Sequence, residues 1–361
     1  MTKEIITNRQ GFTLLVIFTM CNAYSLLFGA DCGRDIWIAY LLAAALAVLL
    51  WALLTRSFER RPYGSLFEML SAAFGNVGGR VVTALLCVYA ALSCTTSLAL
   101  FGRFTQLTAL SKTPQLLLPL LLLLLAAWGL KSGLEVVARG ASMLFYFVII
   151  TFLYFVIFGV PLLDVRNITP VLADGILRPA RSALSIFTNQ FGDTLLLFAV
   201  YPSIRRAPNR RRTMICAMLC AGVFAAVIAL ITVLTIGGNQ TGAEFFPVFT
   251  ILSIRNIGGY IRHMEILTSI AMTFFVFIRA TLCLYFIANA CSHLFSARGY
   301  QRILTPIALL IASGTQLLYW DMMSLRARIE SNWNLYILIP LQLILPVVTV
   351  LLLRRYPPRR E

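Results

Sequence analysis

The chain has 361 residues, 60% of them apolar or aromatic and only 12% charged, where an ordinary soluble domain carries roughly 25% charge. A soluble domain is excluded, and so is a single-pass anchor, because apolar character runs from Phe12 to Leu353 instead of filling one stretch of about 20 residues. The formal charge of +16 is, in such a polytopic chain, first a topology signal and only second a hint of an acidic partner.

Runs long enough to cross about 30 Å of hydrocarbon are Phe12 to Phe28, Ile36 to Leu54, Val81 to Leu110, Leu116 to Leu130, Met143 to Leu163, Ala183 to Val200, Met214 to Ile236, Ile266 to Ala290, Ile303 to Trp320 and Trp333 to Leu353. Ten transmembrane helices are therefore expected. No segment sustains a strand alternation, so the predicted fold class is an all-α polytopic membrane protein. The first run follows Lys3 and Arg9, but no A-x-A-like cleavage site follows Phe28. Acidic Asp31 stands beside Cys32 where a lipoprotein signal needs a small residue, so this run is read as a retained helix.

Ten crossings put both termini on one side, and basic residues choose which. Nineteen Lys and Arg fall on the side of the termini and nine on the other, with Arg103 and Arg279 inside spans. Both termini are expected in the cytoplasm. The basic cluster at 205–212 lacks interleaved aromatics, so it reads as a positive-inside anchor and no nucleic-acid partner is expected. No loop has room for a soluble catalytic domain. Asp164 to Arg181 and Gly237 to His263, on the far side, read as re-entrant or surface helices, and Arg56 to Gly79 as an interfacial helix on the cytoplasmic face.

Ten spans divide into two halves of five, approximately 8–163 and 164–353, within one membrane domain. Five is odd, so the first helix of each half enters from opposite faces, which is the geometry of an inverted-topology repeat. Such folds bind ligand at the midplane, where helices 1 and 6 are broken. Polar residues interrupt both: Cys21, Asn22, Ala23, Tyr24 and Ser25 in helix 1, and Thr188, Asn189, Gln190, Phe191, Gly192, Asp193 and Thr194 in helix 6. The plainer alternative is hydrogen bonding between packed helices.

Asp193 of helix 6 and Arg279 of helix 8 lie near the midplane. Each costs about 2.5 to 3.5 kcal/mol at a helix centre, which predicts a partner or an aqueous cavity. They either pair directly, as a structural ion pair does, or jointly hold a zwitterion. Ser93, Thr95, Thr96 and Thr273 could line the same cavity or bond back to their own helices. The candidate ligand-binding set is Asn22, Ala23, Tyr24, Ser25, Thr96, Asn189, Gln190, Phe191, Gly192, Asp193 and Arg279.

No catalytic, cofactor or metal site is expected. The two histidines, His263 and His293, fall on opposite sides of the membrane, and no acids cluster. Of eight cysteines only Cys32 sits clearly in a polar loop, so there is no disulfide framework, and Cys216 with Cys220 lacks His or acidic co-ligands. Gly75 to Gly79 lacks the Lys-Ser/Thr ending of a phosphate loop and is read as a turn before helix 3.

Particular residues then point to a family. Arg9-Gln10 precedes helix 1, Asp35-Ile36-Trp37-Ile38 opens helix 2, and Arg61-Pro62 with Leu66 and Glu68 leads to Phe74-Gly75. Thr113-Pro114 precedes helix 4, Gly133-Leu134-Glu135 with Ala138-Arg139 precedes helix 5, and Asn167, Pro170 and Gly175 follow outside. Phe191-Gly192-Asp193, Pro202, Phe246-Pro247 and Glu265 complete the order. Over nearly its whole length the chain resembles the spore germination permeases, the membrane-embedded B subunits of nutrient germinant receptors, in the amino acid, polyamine and organocation transporter superfamily. The resemblance implies a LeuT-like fold of ten helices, a pocket between helices 1, 3, 6 and 8, and a nutrient ligand such as an amino acid. It also implies A and C receptor subunits as partners in a spore inner membrane. Helix 1 departs from the pattern, with Cys21-Asn22-Ala23 where relatives often have glycines at the break. The function expected is nutrient binding that triggers germination, and the alternative is an ion- or proton-coupled secondary amino acid transporter.

Overall fold

A computed structural model describes residues 4–60, 64–110, 112–173, 175–238, 244–253, 265–295, 299–319, 321, 323, 325, 327 and 332–355. Among the described residues the regular secondary structure is helical, joined by turns and irregular segments, apart from an isolated parallel bridge between Ile6 and Ile204. The helices are α1 (Asn8–Ser25), α2 (Ile36–Arg60), α3 (Leu66–Thr108), α4 (Leu117–Lys131), α5 (Leu134–Gly159), α6 (Leu177–Ile186), α7 (Arg210–Ile236), α8 (Pro247–Ser253), α9 (Glu265–Leu294), α10 (Leu304–Leu318), α11 (Asn332–Ile339) and α12 (Leu345–Arg355). Arg61-Pro62 and, within the segment expected from Gly237 to His263, residues 239–243 and 254–263 lie outside the described residues. Of that segment, Pro247–Ser253 forms the short helix α8.

Among the described residues, six helices are long and apolar enough to cross a membrane. They correspond to expected spans 2, 3, 5, 7, 8 and 10. The other four are present as shorter or broken helices. α4 and α10 have 15 residues each and reach only about 22 Å at 1.5 Å per residue. α1 has 18 residues but begins Asn8-Arg9-Gln10, and helix 6 changes its winding part-way.

Local chemistry sets the ends. Thr7 and Gln10 form a reciprocal capping box at the start of α1, the Thr7 hydroxyl accepting from Gln10 N at 3.3 Å and Gln10 Oε1 from Thr7 N at 2.8 Å. Ser65 caps α3 by accepting from Glu68 N at 3.1 Å. Inside α3, Gly75 has φ 78° and ψ 173°, a conformation nearly closed to other residues. It turns 66–74 back on the long shaft, so tightly that a Cβ on Gly79 would lie 2.5 Å from Ser71 Cα. The turn expected at Gly75 thus separates a short helix from the span. That short helix is buried through Leu66, Phe67, Met69 and Leu70.

α2 packs on α7, where Gly222 admits the methyl of Ala44, and α3 packs on α9. Exchanging α1, α2, α3 and α4 for helix 6, α7, α9 and α10 maps further contacts onto one another. α1 on α7 is matched by α2 on α6, α1 on α9 by α3 on the 192–199 segment, and α4 on α9 by α3 on α10. The loops gather at two ends. At one, Ile6 N donates to Ser203 O at 2.9 Å, Ile5 N to Glu135 Oε1 at 2.8 Å, and Tyr300 OH to Glu4 Oε1 at 2.7 Å. Burial and the Glu4 carboxylate push the Tyr300 phenol well above its ordinary range, so it remains a donor. At the other end Arg34 reaches Thr169 O, and Asp35 accepts from Leu172 N at 3.0 Å.

Candidate functional site

The two helices expected to be broken behave differently. Cys21 to Ser25 do not interrupt α1, contrary to expectation. They form its last helical turn, and the chain leaves the helix at Leu26, φ −156° and ψ 142°, short of the expected Phe28. The polar side chains support that turn: Ser25 Oγ donates to Cys21 O at 2.5 Å. In helix 6 the winding passes from α through Ile186 to a π-helical turn at Phe187–Phe191 and then to a 3₁₀ helix at Gly192–Ala199. Such a transition leaves backbone carbonyls without their usual donors. Side-chain amides from two other helices fill them. Asn22 Nδ2 of α1 donates to Asn189 O at 2.7 Å, and Gln342 Nε2 donates to Thr188 O at 2.9 Å. In return Gln190 Nε2 donates to Thr19 O at 2.9 Å. Gln342 itself lies in a second π-helical turn, Pro340–Ile344, between α11 and α12.

Asp193 and Arg279 meet directly in a buried ion pair. Asp193 Oδ2 accepts from Arg279 Nη2 and from Ser93 Oγ at 2.9 Å, and Oδ1 accepts from Tyr89 OH and from Gln342 Nε2 at 3.4 Å. Arg279 Nε donates to Ser97 Oγ at 2.6 Å, Nη2 also donates to Ser93 Oγ at 2.9 Å, and the guanidinium lies 4.6 Å from the centre of the Phe18 ring. The carboxylate is thus saturated from four side chains. The guanidinium is not, since Arg279 Nη1 is buried without a hydrogen-bond partner among the described residues.

Beside the pair is a cavity of about 520 Å³ between α1, α3, helix 6, α9 and α11. Asn22, Thr96, Asn189, Asp193 and Arg279 of the expected set line it, together with Tyr89, Ser93, Ser97 and Tyr319. Exposed Val88 and Ile337 also line it, between α3 and α11. The remaining candidates do not line it. Tyr24 packs its ring 4.8 Å from that of Phe275, Ser25 faces Cys21 O, Ala23 and Phe191 are core, and Gln190 braces α1. Gly192 has a different part: a Cβ there would stand 2.1 Å from Gln342 Oε1, so glycine is what lets the amide close on the ion pair.

Of the other midspan hydroxyls, Thr96 reaches Tyr319 OH at 2.8 Å, while Thr95 and Thr273 bond back to their own helices. Sequence reasoning missed Tyr89, Ser97 and Gln342. Gln342 carried a usable signal, as a lone amide inside the otherwise apolar run Leu335–Leu353. Tyr89 did not, because tyrosine is common at helix faces of every kind. Among the described residues no group of three or more His, Cys, Asp or Glu is placed to hold a metal ion.

The sequence has relatives among known proteins. It matches the family described as spore germination protein over residues 5–318. The chain belongs to that family. Similar relatives include spore germination protein KB of Bacillus subtilis (strain 168), 25% identical across all of this chain and 98% of its own length. Spore germination protein XB of Bacillus anthracis is 20% identical over 71% of this chain and 72% of its own, and spore germination protein YndE of Bacillus subtilis (strain 168) is 20% identical over 56% and 55%. The chain is therefore a germination-related, permease-like integral membrane protein, of a family associated with germinant receptors and not of an enzyme family.

Proposed function

We propose that the chain is the nutrient-binding membrane subunit of a spore germinant receptor, built on a LeuT-like inverted repeat of ten helices. The observation that carries the reading is the Asp193–Arg279 pair on the wall of a cavity of about 520 Å³, its carboxylate saturated and its Arg279 Nη1 buried with no hydrogen-bond partner among the described residues. A buried donor without an acceptor favours a ligand that brings one. The ligand presents a carboxylate or carbonyl oxygen to Arg279, and Asn22, Asn189 and Thr96 contact its remaining polar groups. Asp193 holds Arg279 in place and does not itself bind an ammonium group. The contact pattern that repeats on exchanging the two halves supports the inverted repeat.

Ligand binding shifts the balance between an open and a closed arrangement of the cavity, and the A and C subunits read that shift. The membrane is the spore inner membrane, with both termini in the cytoplasm. The test is ligand-dependent thermal stabilisation of the purified chain over an amino-acid and sugar panel, run beside uptake into liposomes. Saturable stabilisation without accumulation supports a receptor subunit. Concentrative uptake overturns it in favour of a transporter, and unchanged stabilisation in Arg279→Gln removes the ligand from this cavity.

A further inference from the structure

The seam between α3 and α9 carries thiols in register. The helices run antiparallel, and Cys87 of α3 meets Cys291 of α9 with their sulfurs 3.8 Å apart. Two turns further along α3, Cys94 lies beside Cys283. Next on the same seam come Ser97 and Arg279. The two thiol pairs differ in access: Cys94 and Cys283 are fully buried, whereas Cys87 and Cys291 are only half-buried. The outer pair sits near the C-terminal end of α9, where the ring of Phe67 from the short 66–74 helix lies 5.7 Å from that of His293.

From this we infer that Cys87 and Cys291 form a redox modification site, a thiol pair that closes to a disulfide and pins α3 to α9 at the end of the seam away from the ion pair. Closing the bond needs the sulfurs to approach by roughly 1.8 Å to reach an S–S length near 2.05 Å. The two S–H bonds break, one S–S bond forms, and two protons and two electrons pass to an oxidant. An azodicarboxamide accepts them as its N=N bond becomes HN–NH. The deeper pair stays reduced because no water-soluble oxidant reaches it.

The experiment treats the full-length chain in detergent with azodicarboxamide, quenches with acid, unfolds the chain and tags free thiols with a maleimide polymer. The reduced protein carries eight cysteines, and oxidation is expected to remove two tags. A phosphine reductant is expected to restore them, and the oxidised monomer is expected to unfold at a higher temperature. Cys87→Ser and Cys291→Ala are each expected to keep all their remaining tags under the same oxidant, and either variant suffices if the other does not fold. An unchanged tag count overturns the inference. So does a two-tag loss that persists in either variant, a loss the phosphine does not reverse, or a disulfide that appears between two molecules on a non-reducing gel.

Discussion

Removing one member of the Asp193–Arg279 pair leaves the other charged and buried, which costs about 3 to 5 kcal/mol, far more than an exposed pair contributes. Asp193→Asn and Arg279→Gln are each expected to lose stability of that order, read as thermal or denaturant unfolding in detergent. The double variant, neutral at both positions, should lose clearly less than the sum. Strictly additive losses would be incompatible with direct pairing. Gly192 supplies a second test at this scale. Its missing side chain is the space that Gln342 occupies, and Gln342 is fully buried and held by Tyr89 and Thr188. Gly192→Ala should therefore cost about 1 to 3 kcal/mol by overpacking, and Gln342→Ala in the same chain should recover part of it.

Among the elements, α3 turns on one glycine. Nothing lies within 4 Å of a Cβ built at Gly75, so Gly75→Ala meets no clash and pays only for its positive φ. A loss of about 1 to 3 kcal/mol is expected in unfolding experiments. A neutral result would mean that 66–74 can pack on α9 without that turn. Gly75 was legible because glycines at 75, 78 and 79 cluster just ahead of the apolar run that begins at Val81. α5 shows the opposite: hydropathy begins the span at Met143, whereas the helix begins at Leu134, since Glu135 and Arg139 stop an apolar run without stopping a helix. The π turns at Phe187–Phe191 and Pro340–Ile344 were not legible as windings. A π turn and an α turn draw on the same residue types, and what selects the π form here is the exchange of amides and carbonyls between helices remote in sequence. The same cause explains α1. Asn22 looked like an interruption of its own helix, yet its amide serves a carbonyl 167 residues away.

At the scale of the molecule, two sets of loops that the basic residues assign to opposite sides lie at opposite ends of the helix bundle. One set joins the segments around Glu4, Glu135, Ser203 and Tyr300, and the other joins Arg34, Thr169 and Leu172. Packing alone does not say which end faces the cytoplasm, because a bundle and its inverted placement have identical contacts. Charge breaks that tie. Nineteen basic residues against nine, each near-surface cation contributing about 1 kcal/mol towards the anionic cytoplasmic leaflet, support the proposed placement of the Glu4 end inside. Arg206 and Arg166 are exposed at the two ends. Arg206→Cys and Arg166→Cys, in a chain whose exposed Cys216 is replaced by serine, separate the two placements. In intact cells a membrane-impermeant maleimide is expected to label the cysteine at 166 and to spare the one at 206 until the membrane is permeabilised. The reverse pattern would invert the protein. Equal labelling before permeabilisation would mean that the two loop clusters are not on opposite sides at all, and the ten-helix assignment would fall with it.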